Sequence, residues 1–220
     1  MKYLSNVIFP INFFQRYYKV GNVGNFIKIN QNCGYLLNLV FDKVDYVVLE
    51  IGAGKGDFLI NYAQDNPNYS IVGIEKSENL VKEIARKLEN KGLTNVRLIC
   101  SKAEFATYFL IPDNFLNEVI INFPDPWPKK AHISRRLVNK NFLALLYKKI
   151  KNSGKIMVST DVENYKDFIL ENLKILINQG YKYRIEKVFL GFWNENYQTK
   201  YLRKWIKLNR KIFSLEILKE

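Results

Sequence analysis

At 220 residues and 26.0 kDa the chain is long enough for a full core, and its 48 % hydrophobic content excludes an intrinsically disordered protein. No apolar run approaches the eighteen or so residues that span a bilayer, and Cys33, Cys100 and a single histidine argue against a disulfide framework or a zinc site. Lys+Arg 34 against Asp+Glu 21 gives a formal charge of +13, which favours a polyanionic partner because each neutralised phosphate releases counterions.

In chain order, residues 1–44 form an N-terminal arm with no regular pattern. Its aromatics (Phe9, Phe13, Phe14, Tyr17, Tyr18) are interrupted by glycines, with room for one strand at Phe26–Ile29. Pro10, Asn12 and Arg16 break any signal-peptide pattern, so a reducing cytoplasm is the expected compartment. From residue 45 to 220 the pattern is that of one α/β domain. Tyr46–Ile51, Ile71–Glu75, Val96–Cys100, Glu118–Asn122 and Lys155–Thr160 read as buried strands. Between them, stripes at Phe58–Ala63, Leu80–Leu88, Leu137–Ile150 and Tyr165–Leu176 read as helices, with Gly92 at a helix C-cap. Tyr181–Leu190 and Ile212–Ile217 are late strands. Strands alternating with helices predict a doubly wound, Rossmann-like and mainly parallel sheet covered on both faces.

In such sheets ligands bind beyond the carboxyl ends of the strands. There the first strand reads L-E-I-G-A-G-K-G-D, in which Gly52, Gly54 and Gly56 allow a tight turn and close approach of a ligand. Glu75 ends the second strand 19 positions after Gly56, placed to accept from two ribose hydroxyls. The spacing is G-x-G-x-G rather than the dinucleotide G-x-G-x-x-G, and Glu50 and Asp57 flank it. A pyrophosphate is repelled by those carboxylates, whereas the cationic sulfonium and amine of S-adenosylmethionine are attracted. A nicotinamide oxidoreductase is further opposed by the missing His or Tyr constellation.

The fourth strand runs into N-F-P-D-P-W-P-K-K-A-H-I-S-R-R. Three prolines end the strand, and Lys129, Lys130, Arg135 and Arg136 fall within eight positions. Trp127 reads as the anchor of this turn and His132 as a surface residue.

Together with L-E-I-G-A-G-K-G, G-I-E-K-S and S-T-D, the N-F-P-D-P-W-P-K-K block resembles the bacterial tRNA (guanine-N7)-methyltransferase family over roughly residues 45–218. The resemblance implies a class I methyltransferase fold, S-adenosylmethionine as methyl donor, and transfer to N7 of a guanosine in the tRNA variable loop. It further implies that Glu50 and Glu75, with Gly52 and Gly54, hold the donor, and that Asp125 is the active-site carboxylate bordering it. Lys129, Asp161 and Thr199-Lys200-Tyr201 then meet the RNA. Two positions depart from the pattern. Lys102 stands where an acidic or amide residue is usual near the adenine, so that contact falls to backbone around Lys102 and Ala103, or to Ser101 or Glu104. Leu202 replaces the glutamate of the C-terminal Thr-x-aromatic-Glu. These departures leave a tRNA-binding protein without transfer activity as the alternative.

The chemistry asks for little proton transfer. Guanine N7 carries an exposed lone pair and no proton, so no general base is required, and orientation of the reactants is the main contribution. The methylated guanine is cationic, and a fixed carboxylate such as Asp125 opposes that developing charge. Alternatively, Asp125 caps its own turn and Asp161 caps the helix after it. Tyr197–Lys211 mixes aromatics with six cations and reads either as a stacking and phosphate surface or as a basic loop.

Overall fold

The computed structural model describes residues 45–220 other than 195 and 198, together with the backbone of Val7–Ile8. The readings for the rest of the N-terminal arm, including Phe26–Ile29, lie outside the described residues. The chain divides into two compact units, Met1–Pro112 and Asp113–Glu220.

In the first unit the elements are β1 (Val7–Ile8), β2 (Val47–Ile51), α1 (Asp57–Asp65), β3 (Ser70–Glu75), α2 (Glu78–Asn90), β4 (Val96–Cys100) and α3 (Ala103–Phe109). β1 pairs with β4, β4 with β3 and β3 with β2, every pair parallel. All residues of β2 and β3 are buried, as continuous apolar runs in a parallel sheet must be. Gly73 lets α1 settle on β3, since a Cβ there would stand 2.9 Å from Leu59 Cδ2. α2 buries Val81, Ile84, Ala85 and Leu88. It closes in a Schellman turn: Gly92 (φ +65°) donates to Glu89 O and Leu93 to Leu88 O, each at 3.0 Å. α3 has no counterpart in the sequence reading. It buries only Ala106 and Thr107 and turns Phe105, Tyr108 and Phe109 outward, so its apolar residues trace no inward stripe.

The second unit contains β5 (Leu116–Asn122), a 3-10 turn (Lys130–Arg135), α4 (Lys140–Lys149), β6 (Ile150–Thr160), α5 (Glu163–Asn178), β7 (Tyr183–Leu190), α6 (Lys200–Lys207) and β8 (Phe213–Lys219). β5 pairs parallel with β6, and β8 lies antiparallel between β6 and β7. Asn139 caps α4 by accepting from Phe142 N–H at 3.0 Å. α4 buries Phe142, Leu143 and Leu146 and α5 buries Tyr165, Ile169, Leu173 and Leu176; Leu143 takes the inward place that the sequence stripe assigned to Leu145, which is only half-buried. Among the described residues, no helix is long and apolar enough to cross a membrane.

Candidate active site

The glycine loop of the first unit is built on the end of β3. Gly52 and Ala53 N–H both donate to Ile74 O, at 2.8 and 3.1 Å. Gly52, Gly54 and Gly56 all have φ in the left-handed region, at +80°, +58° and +77°, where a Cβ is disfavoured. Their surroundings differ. A Cβ on Gly56 would lie 2.8 Å from Ile84 Cγ1, whereas one on Gly52 would meet nothing within 4 Å among the described residues. Gly56 is therefore a packing glycine, and Gly52 has no such neighbour among those residues.

Glu75, predicted to receive ribose hydroxyls, is buried and already has structural work. Its Oε2 accepts from Gly54 N–H at 3.0 Å and its Oε1 from Ser77 N–H at 2.9 Å. An ionised carboxylate offers about four acceptor directions, so each oxygen keeps one for a further donor. The side chain thus fixes the loop and still presents two adjacent acceptors, which fits a vicinal diol. Glu50 is buried in β2 opposite Gly73. This acidic, phosphate-repelling donor set fits S-adenosylmethionine. Lys102 is exposed and precedes α3, whose amino end no side chain caps, so backbone amides rather than its ammonium are the polar groups offered there. Neighbouring Cys100 is buried, and burial raises its thiol pKa.

In the second unit β5 breaks at Phe123, which enters the left-handed region at φ +51° and donates to Ser159 O at 2.8 Å. Asp125 follows, exposed on the proline turn. Trp127 also has positive φ, +41°. Its ring meets His132 edge-on at 5.7 Å and the Arg135 guanidinium at 5.1 Å, contacts that lie within the turn itself. Lys129, Lys130 and Arg135 are exposed.

Arg136 differs from the other three cations of the cluster: it is 1 % exposed. Its Nε donates to Pro126 O at 2.9 Å, Nη1 to Asn164 O at 3.2 Å and Nη2 to Asn164 Oδ1 at 2.8 Å. The guanidinium lies 4.8 Å from the Tyr165 ring centroid and 5.1 Å from that of Phe168. It ties the residue after Asp125 to the first turn of α5. The available signal was the i, i+3 pair of ring faces at Tyr165 and Phe168, which suits a planar cation.

Asp161 does not cap α5. The cap position is Val162, whose N–H donates to Thr160 Oγ1 at 3.2 Å. Instead Asp161 Oδ2 accepts from Arg210 Nη1 at 2.7 Å. Thr199 caps α6, its hydroxyl accepting from Leu202 N–H at 2.9 Å, and Lys200 and Tyr201 are exposed on the first turn. Tyr197–Lys211 is thus largely helical rather than a loop. Leu202, 1 % exposed, is packed with Phe192 and Ile212, so the side chain at this position serves an apolar cluster.

Comparison with known proteins places these features in context. A family model described as "Putative methyltransferase" matches residues 45–215. The tRNA (guanine-N(7)-)-methyltransferase of Buchnera aphidicola subsp. Baizongia pistaciae is 35 % identical over 86 % of this chain and 78 % of its own. Proteins of the same name from Aquifex aeolicus and Thermus thermophilus are 33 % and 35 % identical over 80 % and 82 % of the chain. The chain spans only 58 % and 56 % of those two relatives' lengths. Among solved structures, the 16S rRNA methyltransferase KamB aligns with a TM-score of 0.61 at 14 % identity, over 84 % of this chain and 92 % of that one. An antibiotic-related methyltransferase gives 0.59 at 19 %, over 87 % and 96 %. At these identities the likeness is one of fold, and the fold is the class I, Rossmann-like and mainly parallel α/β type.

Proposed function

The chain belongs to the bacterial tRNA (guanine-N7)-methyltransferase family, and from that premise we propose that it transfers a methyl group from S-adenosylmethionine to N7 of a guanosine in the variable loop of tRNA. The observation that carries the reading is Glu75, clamped by Gly54 and Ser77 N–H beneath the glycine loop. The arrangement suits a ribose and rejects a pyrophosphate. When bound, S-adenosylmethionine supplies an electrophilic methyl group on a sulfonium.

The chain's own residues hold and orient. Glu75 accepts the ribose hydroxyls, Gly52 and Gly54 allow close backbone approach, and Glu50 contributes negative charge near the donor's cationic end. Backbone at Lys102 and Ala103 offers the amides that an adenine ring nitrogen accepts. On the RNA side, Asp125 opposes the positive charge that develops on guanine, and Lys129 with Lys200 neutralises phosphates. Tyr201 offers an exposed ring for stacking, while Asp161 and the O–H of the Thr199 cap approach the base. Residues 45–220 form the catalytic domain, residues 1–44 an arm attached to it, and the compartment is the cytoplasm.

Nucleoside mass spectrometry of unmodified tRNA incubated with enzyme and S-adenosylmethionine is the test, with 7-methylguanosine expected. Asp125→Ala should abolish nearly all transfer while tRNA affinity stays within a few-fold. No 7-methylguanosine with the unaltered chain refutes the function, and full single-turnover rates for the variant refute the role of Asp125.

A further inference from the structure

The ion pair at Asp161 is built rather than incidental. α6 ends in a Schellman closure: Asn209, at φ +49°, donates to Ile206 O and Arg210 N–H donates to Trp205 O, each at 3.0 Å. Asparagine is among the few residues other than glycine that take this conformation readily. The closure fixes the Arg210 backbone one step beyond the helix. The guanidinium then lies over the Trp205 indole, 4.2 Å from its centroid, and reaches Asp161 Oδ2. A planar cation held through its face and one edge has little rotational freedom left. The Asp161 side chain is 10 % exposed, and its Oδ1 accepts no hydrogen bond among the described residues. No second carboxylate reaches the base from α6, because position 202 is a leucine buried with Phe192 and Ile212.

We propose that Arg210 is a positioning residue that aims the Asp161 carboxylate at the N1–H and N2–H donors of the target guanine. The proposal rests on the methyl-transfer reading above. Those two donors lie on the Watson–Crick edge, away from N7, so a carboxylate reading them leaves the acceptor nitrogen clear. Adenine presents a lone pair at N1 and no 2-amino group, and is repelled. Arg210 holds one carboxylate oxygen, which fixes the plane of the group and leaves Oδ1 to accept from the base. With no carboxylate at position 202, Asp161 is the carboxylate that reads this edge, and its aim depends on what orients it.

The test uses full-length tRNA transcripts carrying guanosine or inosine at the methylated position, with the unaltered enzyme, Arg210→Met and Arg210→Lys. Inosine keeps N7 and N1–H and lacks only the 2-amino group. The unaltered enzyme should prefer guanosine by about tenfold in kcat/KM, the range of one base-edge contact. Arg210→Met should lose about tenfold on guanosine, with the preference falling to within about twofold of unity. Arg210→Lys should keep most of the preference, because an ammonium still pairs with Asp161. Melting temperatures of all three should agree within about 2 °C, since Arg210 is half-exposed. Retention of the full guanosine preference by Arg210→Met overturns the proposal, as does an unaltered enzyme with no preference. A phosphate contact would give that first result, because its loss lowers both substrates equally. If the unaltered enzyme methylates neither RNA, the methyl-transfer reading itself falls. An active enzyme whose preference ignores residue 210 removes only the role of Arg210.

Discussion

Arg136→Met measures what a single buried cation contributes to the proline turn. Among the described residues no carboxylate pairs with Arg136, and burial lowers its pKa. Its hydrogen bonds go to three neutral oxygens: Pro126 O, Asn164 O and Asn164 Oδ1. Methionine fills much of the stem's volume and leaves those oxygens without their donor, at roughly 1–3 kcal/mol for each that finds no water. The ring contacts with Tyr165 and Phe168 are worth about 2 kcal/mol each when desolvated. Against this, removing a buried charge recovers several kcal/mol of desolvation. The net loss is about 3 kcal/mol, and at roughly 3 °C per kcal/mol for a chain of this size the melting temperature should fall by about 9 °C. Circular dichroism melts of the unaltered chain, Arg136→Met and Arg136→Lys check this, with lysine intermediate because one ammonium reaches fewer of the three acceptors. Methyl transfer by Arg136→Met should also drop well below its melting temperature, because the Pro126 carbonyl is adjacent to Asp125. A fall under about 3 °C would show that the three oxygens find other partners, and the reasoning would fail.

The two kinds of loop glycine should separate experimentally. Gly56→Ala combines a left-handed φ with a 2.8 Å approach to Ile84 Cγ1 and should cost about 2 kcal/mol of stability in a denaturant titration. Gly52→Ala should cost about half that and mainly weaken S-adenosylhomocysteine binding by calorimetry; equal effects of both on both measurements would dissolve the distinction. The Tyr165 phenol is pushed up to about 12, chiefly by burial, with the Val138 N–H it accepts pulling the other way. The folded chain therefore holds that proton longer than the unfolded chain, whose phenol titrates near about 10. Its stabilisation is complete below that pH and lost as pH rises toward 12. Tyr165→Phe should flatten the stability profile over this window, and an unchanged slope would exclude Tyr165 as its source. Replacing Lys200, Lys204 and Lys207 of α6 with glutamine should reduce the slope of log affinity for tRNA against log salt by about 0.7–0.9 for each phosphate no longer neutralised. An unaltered slope would remove this helix from the RNA surface.

The sequence made the strands from β2 onward, four of the helices and the positions of Glu75 and Asp125 legible, because apolar periodicity and proline placement are local properties; β1, two residues long, carries too little pattern to be read. What it left out were partnerships between distant residues. Arg135 and Arg136 are adjacent and chemically identical, yet one is exposed beside Trp127 and the other is buried between α5 rings. That difference is decided by Tyr165 and Phe168, about thirty positions later, and no window around the arginines contains it. Glu75 was placed by its distance from the glycines, but its bonds to Gly54 and Ser77 needed backbone geometry. α3 was missed because its aromatics face outward, contrary to the inward stripe on which helix recognition depends.

The two departures from the family pattern illustrate the same limit from the opposite side. Read along the chain, Lys102 and Leu202 each remove a hydrogen-bond acceptor from an expected binding site. In the structure they have different consequences. Lys102 sits exposed before an uncapped helix end, so the backbone still offers donors whatever side chain stands there. Leu202 packs with Phe192 and Ile212, where an ionised carboxylate would have to be desolvated at a cost of several kcal/mol. A glutamate restored at 202 by itself should therefore destabilise the second unit rather than recover a hydrogen bond to the base, unless the apolar cluster changes with it.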